Sequence, residues 1–165
     1  MFDRRTKNVT IFKDSMEMMS ENERLQQAIK ESVEKQTLYL EAENVEIPES
    51  NASKCRTLVS TGRSFETASR YARNGKKVCV LNFASATNPG GGVVHGSSAQ
   101  EESLCRCSTL YPCLDIDKMW QEFYTPHRRA GNPLYNDDCL YTPGVFVFKS
   151  DLSFPERMEE KDWYQ

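Results

Sequence analysis

Val78-Cys79-Val80-Leu81-Asn82-Phe83-Ala84 is apolar almost throughout, and it is followed by Asn88-Pro89-Gly90-Gly91-Gly92. A run that does not alternate predicts a strand buried on both faces, as in a parallel sheet covered by helices. The C-terminal edge of such a strand is where open α/β sheets bind ligands. Working outward, Ser64 predicts a helix start, with Phe65, Ala68, Tyr71 and Ala72 on one side and Gly75 as the stop. Thr57-Leu58-Val59-Ser60 and Thr37-Leu38-Tyr39-Leu40 read as strands, separated by a polar loop from Glu46 to Lys54. Further upstream, Asp14 and Ser20 both fit helix starts. Ser20-Glu21-Asn22-Glu23 has the capping-box pattern, and Leu25, Ala28, Ile29 and Val33 recur at helical spacing after it. Near the other end, Phe146 and Phe148 alternate with Val145 and Val147 and predict a strand. Helix, strand, loop, strand, helix, strand is an α/β order.

The length of 165 residues suits one domain. Lys and Arg total 21 against 24 Asp and Glu, a net charge of -3. A protein that grips nucleic acid through phosphate neutralisation carries a basic surplus, so no direct nucleic-acid binding is expected. No apolar run approaches the roughly 20 residues that span a bilayer. Met1-Phe2-Asp3-Arg4-Arg5-Thr6-Lys7 lacks the apolar core of a secretory signal. The expectation is a soluble cytoplasmic protein without a membrane partner, with access to the nucleus if the cell is eukaryotic.

Reduced thiols are then the default for the six cysteines. Cys79 reads as a core residue. Cys105, Cys107 and Cys113 form the one cluster, without paired CxxC knuckles, and only His95 and His127 are at hand, so no metal site is expected.

Three successive glycines, Gly90, Gly91 and Gly92, remove every Cβ from the loop, so backbone amides can approach a ligand, and a diphosphate suits such a nest. The plain alternative is a flexible turn. Ser98-Ala99-Gln100-Glu101 predicts the next helix start by another capping box. Glu101 then has a structural reading as a cap, and Glu102 one as a solvent-facing i,i+4 partner of Arg106. Adjacent helix residues point about 100° apart, so the two carboxylates are not the opposed pair of an ordinary glycosidase. One acid with a neighbour that positions the sugar is the simpler arrangement. Asn88 reads equally as a turn cap or a ribose contact, His95 as a solvated loop residue, and His127-Arg128-Arg129 as a small basic patch.

The stretch from Val80 through the glycine loop, then seven residues, then Gln100-Glu101-Glu102, resembles the signature of the microbial-type poly(ADP-ribose) glycohydrolases. Ser103-Leu104-Cys105-Arg106-Cys107-Ser108-Thr109-Leu110-Tyr111 continues the likeness, which extends from the helix at Ser64 to Tyr141–Phe148. The resemblance implies a macrodomain-like three-layer α/β/α fold with a mixed sheet, and binding of ADP-ribose or poly(ADP-ribose), including ADP-ribosylated proteins. The implied reaction hydrolyses ribose–ribose O-glycosidic bonds without a cofactor. By position, Gly90, Gly91 and Gly92 match the diphosphate-contacting loop, Glu102 the catalytic acid/base and Glu101 the carboxylate that orients the ribose. Gln100 completes the motif and Asn88 flanks the ligand loop.

Residues 1–165 are thereby expected to be a single catalytic domain of this family. An N-terminal helical part and first strand occupy 1–54, and a core with the glycine loop and the QEE motif occupies 55–149. The family continues through further strands and a second glycine-rich phosphate loop, yet no glycine follows Gly144. The expectation is a domain incomplete at its C-terminus and inactive for that reason, with an open ligand site and an exposed sheet edge. Trp163 and Tyr164 are expected to find little to pack against. A non-catalytic ADP-ribose-binding module is the alternative function, a thiol-based redox or metal protein a third, and a P-loop hydrolase is disfavoured for want of GxxxxGK[ST].

Overall fold

The computed structural model describes residues 3–43, 55–132, 134 and 136–165. The polar loop expected over 46–54 lies outside the described residues.

Asp3 accepts the Thr6 N–H at 2.9 Å and starts α1 (Arg4–Glu21), so Asp14 is a mid-helix residue and not a helix start. Asn8, Phe12, Ser15 and Met19 form its buried stripe. Asn22 ends this helix and begins the next. Its N–H donates to Met18 O at 3.1 Å, and its Oδ1 accepts the Leu25 N–H at 3.2 Å to open α2 (Glu23–Glu34). Ser20, the expected cap, instead donates its hydroxyl to Glu17 O. Both residues fit the local pattern, but the chain turns extended only at Asn22. The helical face at Leu25 and Ala28 is buried as expected.

Thr37–Tyr39 forms β1, which pairs antiparallel with β2 (Cys139–Tyr141), Leu38 opposite Leu140. α3 (Ser64–Ala72) ends as the sequence indicates, on Gly75 at φ +70° with its N–H on Ala72 O. Its start differs: Ser64 is the first helical residue, and the capping oxygen is distant in sequence. Asp151 Oδ2 accepts the Phe65 N–H at 2.8 Å and the Glu66 N–H at 3.4 Å.

The α/β class holds, but the two strands expected at 57–60 and 78–84 do not form. A strand exists through its ladder bonds, and among the described residues no segment runs beside either stretch. Val59 is 95% exposed and Phe83 73%, and Cys79 is exposed rather than core. Gln100 braces 81–83, accepting from Phe83 N–H at 2.7 Å and donating to Leu81 O at 2.8 Å.

The core is built around α4 (Gln100–Cys107), in which every residue from Glu101 to Cys107 is buried. α1 packs on it, with Ser15 Oγ donating to Arg106 O at 2.7 Å. The segment 146–149 covers another side, through Thr109 N–H to Phe146 O and Phe148 N–H to Cys107 O. Phe146 and Phe148 are buried in an extended segment that makes isolated bridges rather than a named strand. Trp163 and Tyr164 are well packed, against expectation. Trp163 meets the rings of Phe146 and Phe148 edge-on, while Tyr164 exchanges backbone hydrogen bonds with Val147 and donates its hydroxyl to Phe65 O. A residue near a chain end needs only a groove beside it, and α2 with 146–148 supplies one. α5 (Leu110–Leu114), α6 (Asp117–Met119), a π turn over Trp120–Tyr124 and α7 (Thr125–Ala130) complete the helices. No described helix is long and apolar enough to cross a membrane.

Candidate active site

The glycine loop folds directly onto the first turn of α4. Gly92 N–H donates to Glu102 Oε1 at 2.9 Å, and Ser85 N–H donates to Glu101 Oε2 at 2.8 Å. The structure therefore brings Gly92, Glu101 and Glu102 together, on two chain segments tied by charge-assisted hydrogen bonds. Gly91 shows why a glycine is required. Its φ is +57°, and a Cβ there would lie 2.7 Å from Glu102 Oε1 and 3.2 Å from Glu101 Oε2. At Gly90, φ is +66° and a Cβ would meet the Tyr111 ring at 2.7 Å. The missing side chains thus let the loop close on its own acids and on Tyr111. The amides turn inward as well: Gly91 N–H donates to Asn88 O and Val93 N–H to Gly90 O.

Each carboxylate keeps one oxygen unsatisfied. Glu101 Oε1 and Glu102 Oε2 are buried without a hydrogen-bond partner among the described residues, and so is Asn82 Oδ1 alongside. Buried acceptors in this state are rare in proteins, and each calls for an explanation. Burial pushes the Glu101 carboxyl above its usual range, against the opposing pull of the Ser85 N–H.

The structural readings of the acids do not survive. The N-cap of α4 is Ala99, without a side-chain cap, so Ser98-x-x-Glu101 is not a capping box; Glu101 is drawn away to Ser85. Arg106 is 1% exposed and donates to Ser97 O at 2.6 Å, with no ion pair to Glu102. A helix buried all round has no solvent-facing pair to offer. Gln100 stands at the edge of the group, holding the 81–83 backbone and Ser64 Oγ rather than either acid.

Asn88 is exposed, and its carbonyl closes the glycine turn while its Oδ1 accepts from Arg128. Arg128 also donates to Thr87 O at 2.6 Å and lies over the Trp120 ring. The basic patch thus turns one arginine onto the loop. His127 is used structurally, by Phe123 O and Asp138, and His95 is exposed on the turn Val93–His95. Two supports were not foreseen: Asn8 of α1, which donates to Gly96 O at 2.9 Å, and Asp151. Neither carries a local signal, since both act across the fold.

The thiol reading fails on energetics. Burial pushes Cys107 and Cys113 up to about 12 each and Cys105 well above its usual range, so these thiols stay protonated. Among the described residues no group of three or more His, Cys, Asp or Glu is placed to hold a metal ion.

A glycine turn closed on two adjacent buried carboxylates at a helix start, in an α/β chain, is the class that fold and site define. The family model described as microbial-type PARG, catalytic domain, matches residues 6–150, and the chain belongs to that family. It is similar to the crystal structure of the poly(ADP-ribose) glycohydrolase from Thermomonospora curvata, with 29% identity and a TM-score of 0.74. A second structure of that protein, bound to the inhibitor ADP-HPD, matches at 28% identity with a TM-score of 0.70. The match covers 97% of this chain but 61% and 60% of those chains. No curated protein matches the chain in sequence.

Proposed function

We propose that the chain carries a poly(ADP-ribose) glycohydrolase site, in which Glu102 is the acid/base and Glu101 orients the ribose. The observation that carries this reading is the pair of buried, unpartnered oxygens, Glu101 Oε1 and Glu102 Oε2, held side by side by the glycine loop. Ribose hydroxyls and a glycosidic oxygen are the donors and acceptors that match them. Glu102 gives a proton to the departing ribose oxygen as the C–O bond breaks, and the oxocarbenium-like ribose is stabilised by nearby negative charge. The ionised Glu102 then takes a proton from the water that attacks the sugar carbon, releasing ADP-ribose and restoring the acid. Glu101 keeps its place because its other oxygen is fixed by Ser85. Gly90, Gly91 and Gly92 hold the acids at the loop, beside which the diphosphate lies, although the Gly91 and Gly92 amides are spent on Asn88 O and Glu102; Asn88 stands at the flank and Gln100 supports the 81–83 backbone. ADP-ribosylated proteins are the partners this reading implies.

Incubation of the chain with poly(ADP-ribose), with free ADP-ribose read by chromatography, tests the reading. Release by the chain and none by Glu102→Gln supports it. Binding of ADP-ribose with no release by either points to the non-catalytic module instead.

A further inference from the structure

The amides of the glycine turn have little left to offer an anion. Gly91 N–H is spent on Asn88 O, Gly92 N–H on Glu102 and Val93 N–H on Gly90 O, while the Thr87 and Asn88 amides both donate to Ser85 Oγ. Two carboxylates lie directly behind the loop, so a negatively charged ligand is repelled there unless a cation stands beside it.

Arg128 is a cation placed at that flank. Its Nε donates to Thr87 O at 2.6 Å and a terminal nitrogen donates to Asn88 Oδ1. Its guanidinium carbon lies 4.5 Å from the centre of the Trp120 ring, a cation–π seat. Residues eight apart on a plain α-helix point about 80° away from each other. Here Thr125 N–H reaches back five residues to Trp120 O, and this π turn brings Arg128 round to the Trp120 side. The seat is itself fixed. Trp120 Nε1 donates to Asp115 Oδ1 at 2.8 Å, Asp115 Oδ2 accepts the Tyr111 hydroxyl at 2.9 Å, and the Tyr111 ring is what a Cβ on Gly90 would strike. A closed circuit of contacts thus runs from the loop through Arg128, Trp120, Asp115 and Tyr111 back to the loop. Asp115 binds the two aromatic residues, and no carboxylate lies within ion-pair distance of Arg128 among the described residues. A guanidinium carries five N–H donors. The loop takes two of them and the side chain is exposed, so the others remain for a ligand.

We propose that Arg128 is the residue that receives the substrate's diphosphate, its remaining N–H groups holding phosphate oxygens at the flank of the glycine loop while the ribose reaches the acids. The proposal rests on the glycohydrolase reading for the identity of the ligand and adds the group that binds its charge.

Inorganic pyrophosphate and ADP-ribose are titrated into the chain by calorimetry, and ADP-ribose release is followed over a range of poly(ADP-ribose) concentrations. The parent chain is expected to bind both probes. Arg128→Gln is expected to weaken both about 10–100-fold and to raise KM with little change in kcat, the mark of lost ligand binding. Arg128→Lys keeps a point charge that suits phosphate and is expected to recover most of the pyrophosphate binding. Arg129→Gln makes the same change of charge one residue away and is expected to alter neither binding nor release. No pyrophosphate binding by the parent chain overturns the proposal. So does an equal loss in Arg129→Gln, which makes the attraction diffuse. A fall in kcat with KM unchanged, or Arg128→Lys as weak as Arg128→Gln, reduces Arg128 to a prop for the loop and overturns it too. Pyrophosphate binding that Arg128→Gln removes, in a chain that releases no ADP-ribose, supports the role of Arg128 and overturns the glycohydrolase reading instead.

Discussion

Replacing Gly91 by alanine tests the packing of loop on acids with a magnitude set by the structure. Two separable costs arise. A left-handed φ of +57° on an L-residue costs roughly 1–2 kcal/mol. Overpacking by a Cβ 2.7 Å from Glu102 Oε1 costs about 1–3 kcal/mol, because Glu102 is itself held by Gly92 and cannot step aside freely. The total is on the order of 2–5 kcal/mol, or about 4–20 °C in melting temperature for a chain of this size. Gly75→Ala isolates the first cost, since Gly75 also has positive φ but nothing within 4 Å of its Cβ. Denaturant unfolding of the two variants beside the parent chain is the assay, with ADP-ribose release measured in parallel. Gly91→Ala is expected to lose clearly more stability than Gly75→Ala and to lose turnover, which Gly75→Ala retains. Equal losses in the two variants, with release intact in both, would refute the claim that the glycine loop is shaped by the carboxylates behind it.

Other outcomes follow from single contacts. Glu102→Gln is expected to lower ADP-ribose release by about 10²–10⁴-fold while ADP-ribose still binds, as checked by initial rates and calorimetry. Glu101 has a folded pKa above its unfolded value, so it favours folding below about pH 4.5 and that contribution is lost as pH rises through the raised value. Glu101→Gln is therefore expected to be more stable than the parent chain at pH 7 and no more stable at pH 4; denaturant curves at both values check the sign, and a less stable variant at pH 7 contradicts it. Trp163→Ala removes a side chain wedged between Phe146 and Phe148 and is expected to cost about 3 kcal/mol in the same assay.

How much of this was legible in the sequence depends on the range of each interaction. The α2 face, the stop at Gly75 and the QEE helix are written in neighbouring residues, and they appear where expected. Helix starts were misplaced because several residues satisfy the same local pattern. Asn22 outcompetes Ser20 by backbone geometry, and Asp151 caps α3 from far along the chain. The run 78–84 records a preference for burial in a sheet, but a ladder also needs neighbours, which no property of the run itself supplies. At the site, the glycines and acids stand out by type and spacing. Their mutual fit does not, because it depends on which side of α4 the loop lies against. Arg128 and Asn8 took on roles at the loop that only the folded chain defines.

The central claim is that two adjacent carboxylates, braced by the glycine loop, each keep one oxygen for the substrate. A crystal structure of the chain soaked with ADP-ribose measures this directly. Ribose hydroxyl oxygens about 2.5–3.0 Å from Glu101 Oε1 and Glu102 Oε2 are the predicted result. Nucleotide bound elsewhere, with both oxygens taken up by protein groups, would contradict it.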